Sequence, residues 1–463
     1  MTDLHERGAL ELGRLLARRE VAPVELVEHF LARIGKDPVG AFVLTDPDRS
    51  LDEARALPAR PDDAGPLWGV PIAVKDLEAV AGQRTSFGSA PFADFVPAAD
   101  SAVVRRLRAA GMPMLGKTAT PEFGLVCYTE PEGAAPACSP WNTEYSASGS
   151  SGGSAAAVGA GLAPLAQGGD GGGSIRTPAA ACGVVGLKPS RGRVSSGTGS
   201  TDAIGLSCIG PLSRDIEDAA ALLDVLCAPE PGDTDRRRSP PSWLEVARQS
   251  PPTLKVGYYV TDTGGATAHP HCVAAVEAVV EELRILGHQV VPVDNPFPAA
   301  FADAFTAVWA TAAATMAMPP GAAEQLRPIT QMFRRVGAQT SGAQAMTALI
   351  TVRELGRQAV AATAGFDLVV TPTLARPPAR VGELRDDEDP AAELRALAEF
   401  TPFTPPYNAS GQPAVSLPVC WSSEGLPIGV QLVGGPGDEA SVLQAGLQLQ
   451  RAFGWVERRP PTW

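Results

Sequence analysis

Apolar residues near the start of the chain recur at helical spacing. Two helices are predicted, over Ala9 to Arg18 and Pro23 to Ile34. In the second, Leu26, Phe30, Leu31 and Ile34 share a face, and Pro23 suits an early turn. The pattern then changes. Gly69-Val70-Pro71-Ile72-Ala73-Val74-Lys75 is an unbroken apolar run ending in a charge, which predicts a buried strand. Ser101 to Ala110 reads as a helix stopped by Gly111. Residues 253–260 predict a strand, Val273, Val276, Val280 and Leu283 a helix, and Gln289 to Val293 a second strand, giving a β-α-β unit. Residues 300–365 are Ala- and Met-rich and helical in character, interrupted at Pro319-Pro320. Phe366 to Thr371 predicts a strand, and Ala414–Trp421 with Pro427–Val433 a hairpin turning at Ser422-Ser423-Glu424-Gly425. No internal repeat or long linker interrupts the order, and the Pro- and Arg-rich stretch 228–252 reads as a surface connection. The economical architecture is one α/β domain over residues 1–463, with a central mixed β-sheet covered by helices.

Charge narrows the partners. The 38 Lys and Arg face 51 Asp and Glu, a formal net charge of −13, which works against nucleic acid and anionic membrane alike. A small-molecule partner is expected. Glycine (48) and proline (44) make up about a fifth of the chain, below the roughly 25–30% of low-complexity sequence. Asp3 and Glu6 stand where a signal peptide would carry cations. The longest weakly polar stretch, Ala155 to Ala166, holds Gly159, Gly161 and Pro164 and is too short to span a bilayer. The seven cysteines (127, 138, 182, 208, 227, 272 and 420) contain no CxxC pair and are odd in number, as for reduced thiols. The expectation is a soluble cytoplasmic protein, monomer or homo-oligomer, with no metal and no cofactor. Only five cations are lysines: Lys36, Lys75, Lys117, Lys188 and Lys255. Where Arg serves as the general cation, a retained Lys ranks as a candidate base, because Arg cannot give up its proton.

Three motif matches fail on context. Gly111 to Thr118 satisfies GxxxxGK[ST], but Gly111 ends a helix, Pro113 removes a donor and the interior is bulky, so it reads as helix, strand and turn. Gly149 to Gly153 places Ser151 in a GxSxG elbow, yet the only later histidines, His269, His271 and His288, have no aspartate motif beside them. His269 and His271 lack the Cys and carboxylate company of a metal site and read as solvated loop residues.

Ser146 to Pro189 is different, built almost wholly of Gly, Ser and Ala. A stretch so poor in side chains either coils loosely or lets backbone approach something closely. Ser154 to Ala163 reads as a buried helix, so the Gly clusters flank ordered structure. Each cluster presents a hydroxyl among successive amides, at Ser150-Ser151 and at Ser174. Successive N–H groups in a Gly-rich turn form a nest for negative charge, as an acyl-transfer transition state requires. Ser174 is then the candidate nucleophile, and Lys75, ending a buried strand, the candidate base, since burial frees its lone pair.

Ordered blocks over most of the chain resemble the amidase signature family of serine hydrolases. They are GVPIAVKD at 69–76, GKTATPEFG at 116–124, SPWN at 139–142, the Gly/Ser block, FDLVVTP at 366–372, and YNASGQPAVSLP with GLPIGVQLVG within 407–434. The resemblance implies that Ser174 is acylated, that Ser150, 24 residues earlier, is the bridging serine held by a cis peptide, and that Lys75 is the base drawing a proton through it. It places the oxyanion hole at the backbone amides of Gly171, Gly172, Gly173 and Ser174. It makes Ser151, Asp170 and Arg176 supporting residues. Two positions depart from the family: Ala147-Ser148-Gly149 replaces Pro-Gly-Gly, and Gly168 to Ser174 reads GGDGGGS in place of GTDTGGS. The second departure resembles a subgroup acting on non-peptide and synthetic amides.

The implied activity is amide hydrolysis to a carboxylate plus amine or ammonia through an acyl-enzyme. Aryl, cyclic or oligomeric amides and carbamates are the substrate classes in view. The catalytic core spans about 69–213, and the helical region about 300–365, with Trp309, Met316, Met318, Met332 and Met346, reads as core or as substrate pocket. Cys127 and Cys138 are small buried thiols by default. Two alternatives stand: the amide-hydrolysing subunit of a tRNA-dependent amidotransferase, although residues 195–213 lack an SLDQIGP-type run, and a non-catalytic binding protein of the same fold. Because no His/Cys/carboxylate cluster is present in the sequence, exhaustive chelation is expected to leave amide turnover unchanged. Loss on chelation, restored by zinc or manganese, would contradict this.

Overall fold

Short apolar runs bounded by Gly and Pro become strands, and their smallest residues decide how closely helices lie on them. The computed structural model describes residues 4–197, 202, 204–228, 230, 232–233 and 237–463. Asp3 and residues 198–201 and 203, within stretches considered above, lie outside the described residues.

The strands in chain order are β1 (Phe42–Leu44), β2 (Ile72–Lys75), β3 (Met114–Thr118), β4 (Cys138–Ser139), β5 (Asn142–Ser146), β6 (Ala166–Asp170), β7 (Val185–Lys188), β8 (Cys208–Ser213), β9 (Lys255–Tyr258), β10 (Gln289–Pro292), β11 (Leu368–Pro372), β12 (Ala414–Trp421) and β13 (Pro427–Gly434). Eleven form one sheet, ordered β1-β3-β2-β6-β8-β7-β12-β13-β11-β9-β10, while β4 and β5 pair separately. The sheet is mixed. β3, β2 and β6 run parallel, as do β11, β9 and β10, and the centre is antiparallel. Helices cover it, making a single α/β domain. Among the described residues no helix is long and apolar enough to cross a membrane.

The helices Ala9–Ala17, Pro23–Ile34 and Ala102–Ala109 stand where the apolar spacing places them, the last capped by the Ser101 hydroxyl and followed by Gly111 at φ +72°. The β-α-β unit is β9, the helix Pro270–Ile285 and β10, with β9 and β10 parallel. The helical region resolves into Ala300–Thr315, Pro328–Gln339 and Gly342–Ala362. Three expectations shift. The buried helix is Gly152–Gly159 rather than Ser154 to Ala163, because Gly161 (φ +65°) and Pro164 end it early and β6 follows. β6 and β8 carry no alternating pattern, since both lie inside the sheet and are built from Gly, Pro and small residues. The connection 228–252 contains the helix Trp243–Arg248, whose Trp243 and Leu244 pack into the core.

The helix Arg176–Cys182 is buried throughout and lies directly on the sheet. A Cβ at Gly186 of β7 would stand 2.6 Å from the Ala179 Cβ, and one at Gly429 of β13 would stand 2.4 Å from the Ala180 Cβ. Glycine at those strand positions lets the helix settle, and the helix fixes the loop that precedes it.

Candidate active site

β2 and β6 are parallel neighbours, so Lys75 and Asp170, their last residues, emerge at the same end of the sheet. Ligand sites in such sheets gather at the carboxyl ends of strands. Lys75 is 1% exposed, and its Nζ donates to the Ser150 Oγ at 2.7 Å. Burial pulls the Lys75 ammonium down to about 7, against the opposing pull of the Asp170 and Glu78 carboxylates. The other buried lysines have different work. Lys117 is ion-paired to Asp76 at 2.7 Å and donates to the Glu78 carbonyl, and Lys188 donates to the carbonyls of Pro189 and Gln412. The P-loop-like match is thereby a strand with its lysine tied to a carboxylate.

Ser150 follows a cis Gly149–Ser150 peptide and is 2% exposed. The Gly149 carbonyl accepts from the Thr177 Oγ1 at 2.7 Å. Ser151 is fully buried: its Oγ bonds the Gly169 carbonyl at 3.1 Å and receives the Gly169 N–H at 3.2 Å, and its own N–H reaches the Ser174 carbonyl at 3.0 Å. It joins the two Gly segments, whereas Ser174 is partly accessible and lines a cavity of about 520 Å³ together with Lys75 and Ser150.

Asp170 shapes the loop between β6 and Ser174. Its carboxylate accepts from the backbone N–H of Gly173 (2.8 Å) and Ile175 (3.2 Å), and pairs with the Arg176 Nε (2.9 Å) and Nη2 (2.8 Å). Burial favours the protonated acid, but the Arg176 guanidinium outweighs it and holds Asp170 well below the usual carboxylate range. Arg176 is fully buried and also donates to Gln431 and Asn408, each at 2.6 Å. Gly173 adopts φ +128°, and a Cβ there would meet the Thr404 Oγ1 at 2.1 Å, so only glycine fits. With the Gly173 N–H engaged by Asp170, the amides of Gly171, Gly172 and Ser174 find no acceptor among the described residues.

Two chambers meet at Ser174. The polar one also includes Glu78, Met316 and Met346. The other, about 150 Å³, is walled by Phe301, Phe305, Phe333 and Leu397, with Cys127 among its lining. Trp309 borders both, stacked on Phe305 at 5.6 Å, with its Nε1 donating to the Leu125 carbonyl at 3.1 Å. Burial pushes the Cys127 thiol up to about 12, which leaves it no thiolate at neutral pH. None of His269, His271 and His288 lines either chamber. His288 is buried instead, accepting the Leu254 N–H at 3.0 Å. Among the described residues no group of three His, Cys, Asp or Glu could hold a metal ion.

Sequence reasoning missed the residues that clamp the Gly loop from afar. Asn408 donates to the Asp170 carbonyl (2.8 Å) and carboxylate (2.9 Å) and to the Leu206 carbonyl (3.0 Å). Gln431 joins Arg176 to the Thr371 Oγ1 (2.8 Å). Gln431 did leave a signal, as the one polar side chain inside the apolar run of β13.

The amidase family model matches residues 25–443, and the chain belongs to this family, the amidase signature enzymes. It is 35% identical over 484 residues to 6-aminohexanoate-cyclic-dimer hydrolase of Paenarthrobacter ureafaciens, covering 98% of this chain and 96% of that one. It is 36% identical over 489 residues to one of the subunits of glutamyl-tRNA(Gln) amidotransferase from Synechococcus sp. strain CC9311, covering 98% and 97%. The solved structure of 6-aminohexanoate cyclic dimer hydrolase complexed with substrate superposes with a TM-score of 0.89 at 32% identity, covering 99% of both chains. The protein is an amide hydrolase acting on carbon–nitrogen bonds.

Removing one partner of a buried ion pair strands the other. Arg176→Met is expected to cost about 3–5 kcal/mol and to lower the thermal midpoint, with partial recovery on adding Asp170→Asn. A midpoint unmoved by Arg176→Met would show that the pair does not hold the loop.

Proposed function

We propose that the protein hydrolyses small-molecule amides through a Ser174–Ser150–Lys75 relay and an acyl-enzyme. One observation carries this reading: a buried lysine held near neutrality donates to Ser150 at 2.7 Å in the cavity that Ser174 lines. Ser174 Oγ attacks the carbonyl carbon and passes its proton to Ser150, whose own proton moves to neutral Lys75. The amides of Gly171, Gly172 and Ser174 receive the developing oxyanion, while Gly173 keeps the loop in shape through Asp170. The C–N bond then breaks as the proton returns through Ser150 to the departing nitrogen. Water repeats the sequence on the ester and releases the carboxylic acid.

Residues 69–213 supply the reacting groups and 300–365 much of the chamber walls. The aromatic chamber favours an aryl or other flat apolar group, and the polar chamber leaves room for a longer chain. A cyclic or oligomeric amide such as the relative's namesake substrate fits the same division. The net charge of −13 supports an enzyme of small molecules over one that docks nucleic acid. The alternative, a part of a tRNA-dependent amidotransferase, rests on the Synechococcus relative, and turnover of simple anilides by the chain purified alone separates the two.

Protonated Lys75 cannot accept a proton, so kcat/KM is expected to rise with pH through about 7 and then level. Lys75→Arg keeps the charge but never deprotonates, so it should lose about 10²–10⁴-fold, as much as Lys75→Ala. Ser174→Ala should be folded and nearly inert, and a fluorophosphonate should label Ser174 in the wild type. Near wild-type turnover in Lys75→Arg at neutral pH, or an adduct on Ser151, would overturn the relay.

A further inference from the structure

A second cleft, of about 580 Å³, opens beside the polar chamber. Its wall is one stripe of the helix Gly342–Ala362, where Met346, Leu349, Ile350, Arg353, Arg357 and Val360 fall at intervals of three and four residues. Arg191 faces that stripe, and no acidic residue is among the described residues lining the cleft. This is against the trend of a chain with net charge −13. Arg191 is anchored, its Nη2 donating to the carbonyls of Asn408 (2.7 Å) and Ala409 (2.6 Å), and Arg353 donates to the Ile204 carbonyl. Burial and the nearby Arg353 charge together pull the Arg191 guanidinium down to about 10. The acid that acts on Arg191, Asp202, is already engaged by the N–H groups of Gly205 (2.8 Å) and Ser207 (2.7 Å). Arg357 is exposed on the same stripe of the helix.

We propose that this cleft is an outer subsite for a carboxylate carried on an aliphatic chain, the far end of an extended amide substrate. Guanidinium groups recognise a carboxylate by charge and by paired N–H donors. The Met, Leu, Ile and Val side chains beside them fit methylenes, and no aromatic residue that would stack a nucleobase is among the described residues lining the cleft. Continuity ties it to the reaction. Met346 and Leu349 wall both the cleft and the chamber that holds Lys75, Ser150 and Ser174, so a chain leaving the scissile amide passes along the same helix toward Arg353 and Arg357. Met346 and Ile350, each 56% exposed, are otherwise unexplained apolar surface.

The inference rests on the amidase reading, so its test is binding rather than turnover. In a Ser174→Ala background, calorimetry would compare a series of monoanilides of linear dicarboxylic acids, from four to ten carbons, with their methyl esters. One chain length is expected to bind about tenfold more tightly as the free acid than as the ester. Arg357→Ala should abolish that preference, Arg357→Lys should restore part of it, and ester affinity should stay unchanged in both. Equal affinity of acid and ester at every length, or a loss in Arg357→Ala that falls equally on both, overturns the subsite. Wild-type turnover of neutral acetanilide tests amide hydrolysis separately, so either idea can fail without the other.

Discussion

The fully buried pair of Asp170 and Arg176 is the interaction on which the site depends. A carboxylate enclosed this way is tolerable only with a cation and a full set of donors, and it has both: Arg176, the loop amides and the Asn408 side chain. Those donors come from the loop after β6, the first residue of the helix Arg176–Cys182 and the short helix Pro405–Ser410, while Arg176 reaches on to β13. One ion pair therefore fixes the distances between elements far apart in sequence. The serine at the end of the loop inherits its position from that network and needs little of its own.

Lys75 illustrates the opposite treatment of a buried charge. Lys117, one strand away, is given Asp76, whose charge opposes the lowering that burial imposes on it, whereas Lys75 is given a hydroxyl and only distant carboxylates. Desolvation then favours its neutral form. Two lysines on adjacent strands diverge in chemistry because their nearest oxygen atoms belong to different functional groups.

Much of this was legible in the sequence, and the exceptions have physical causes. Helices with a clear apolar stripe, such as Pro23–Ile34, and strands with branched apolar runs, such as β2 and β12, stand close to their expected bounds. β6 and β8 did not announce themselves, because small residues fill the space between sheet and helix and no alternation is needed when both faces are buried. Lys75 could be singled out as a charge ending an apolar run and Ser174 as a hydroxyl among successive glycine amides, while Ser150 was marked off from Ser151 only by the family resemblance. Asn408 and Gln431 could not be assigned, since the Asp170 and Arg176 groups they hold lie more than 200 residues away. The division of the loop amides also escaped, because which amide Asp170 takes depends on loop geometry and not on composition.

The tight seating of Arg176–Cys182 on Gly186 and Gly429 has a consequence for what this molecule can become. Where that helix meets the sheet there is no spare volume, and a carbon added at either glycine would collide with another small side chain. The chamber walls are built differently, from single side chains such as Phe305, Trp309 and Met346 on helices that flank the Gly loops. Substitutions there change which molecule fits while leaving bond-breaking groups where they are. Mutational tolerance is thus divided along the chain. A lineage of such proteins can wander among amides by repainting one helical wall, while the seat of the helix Arg176–Cys182 is too crowded to drift.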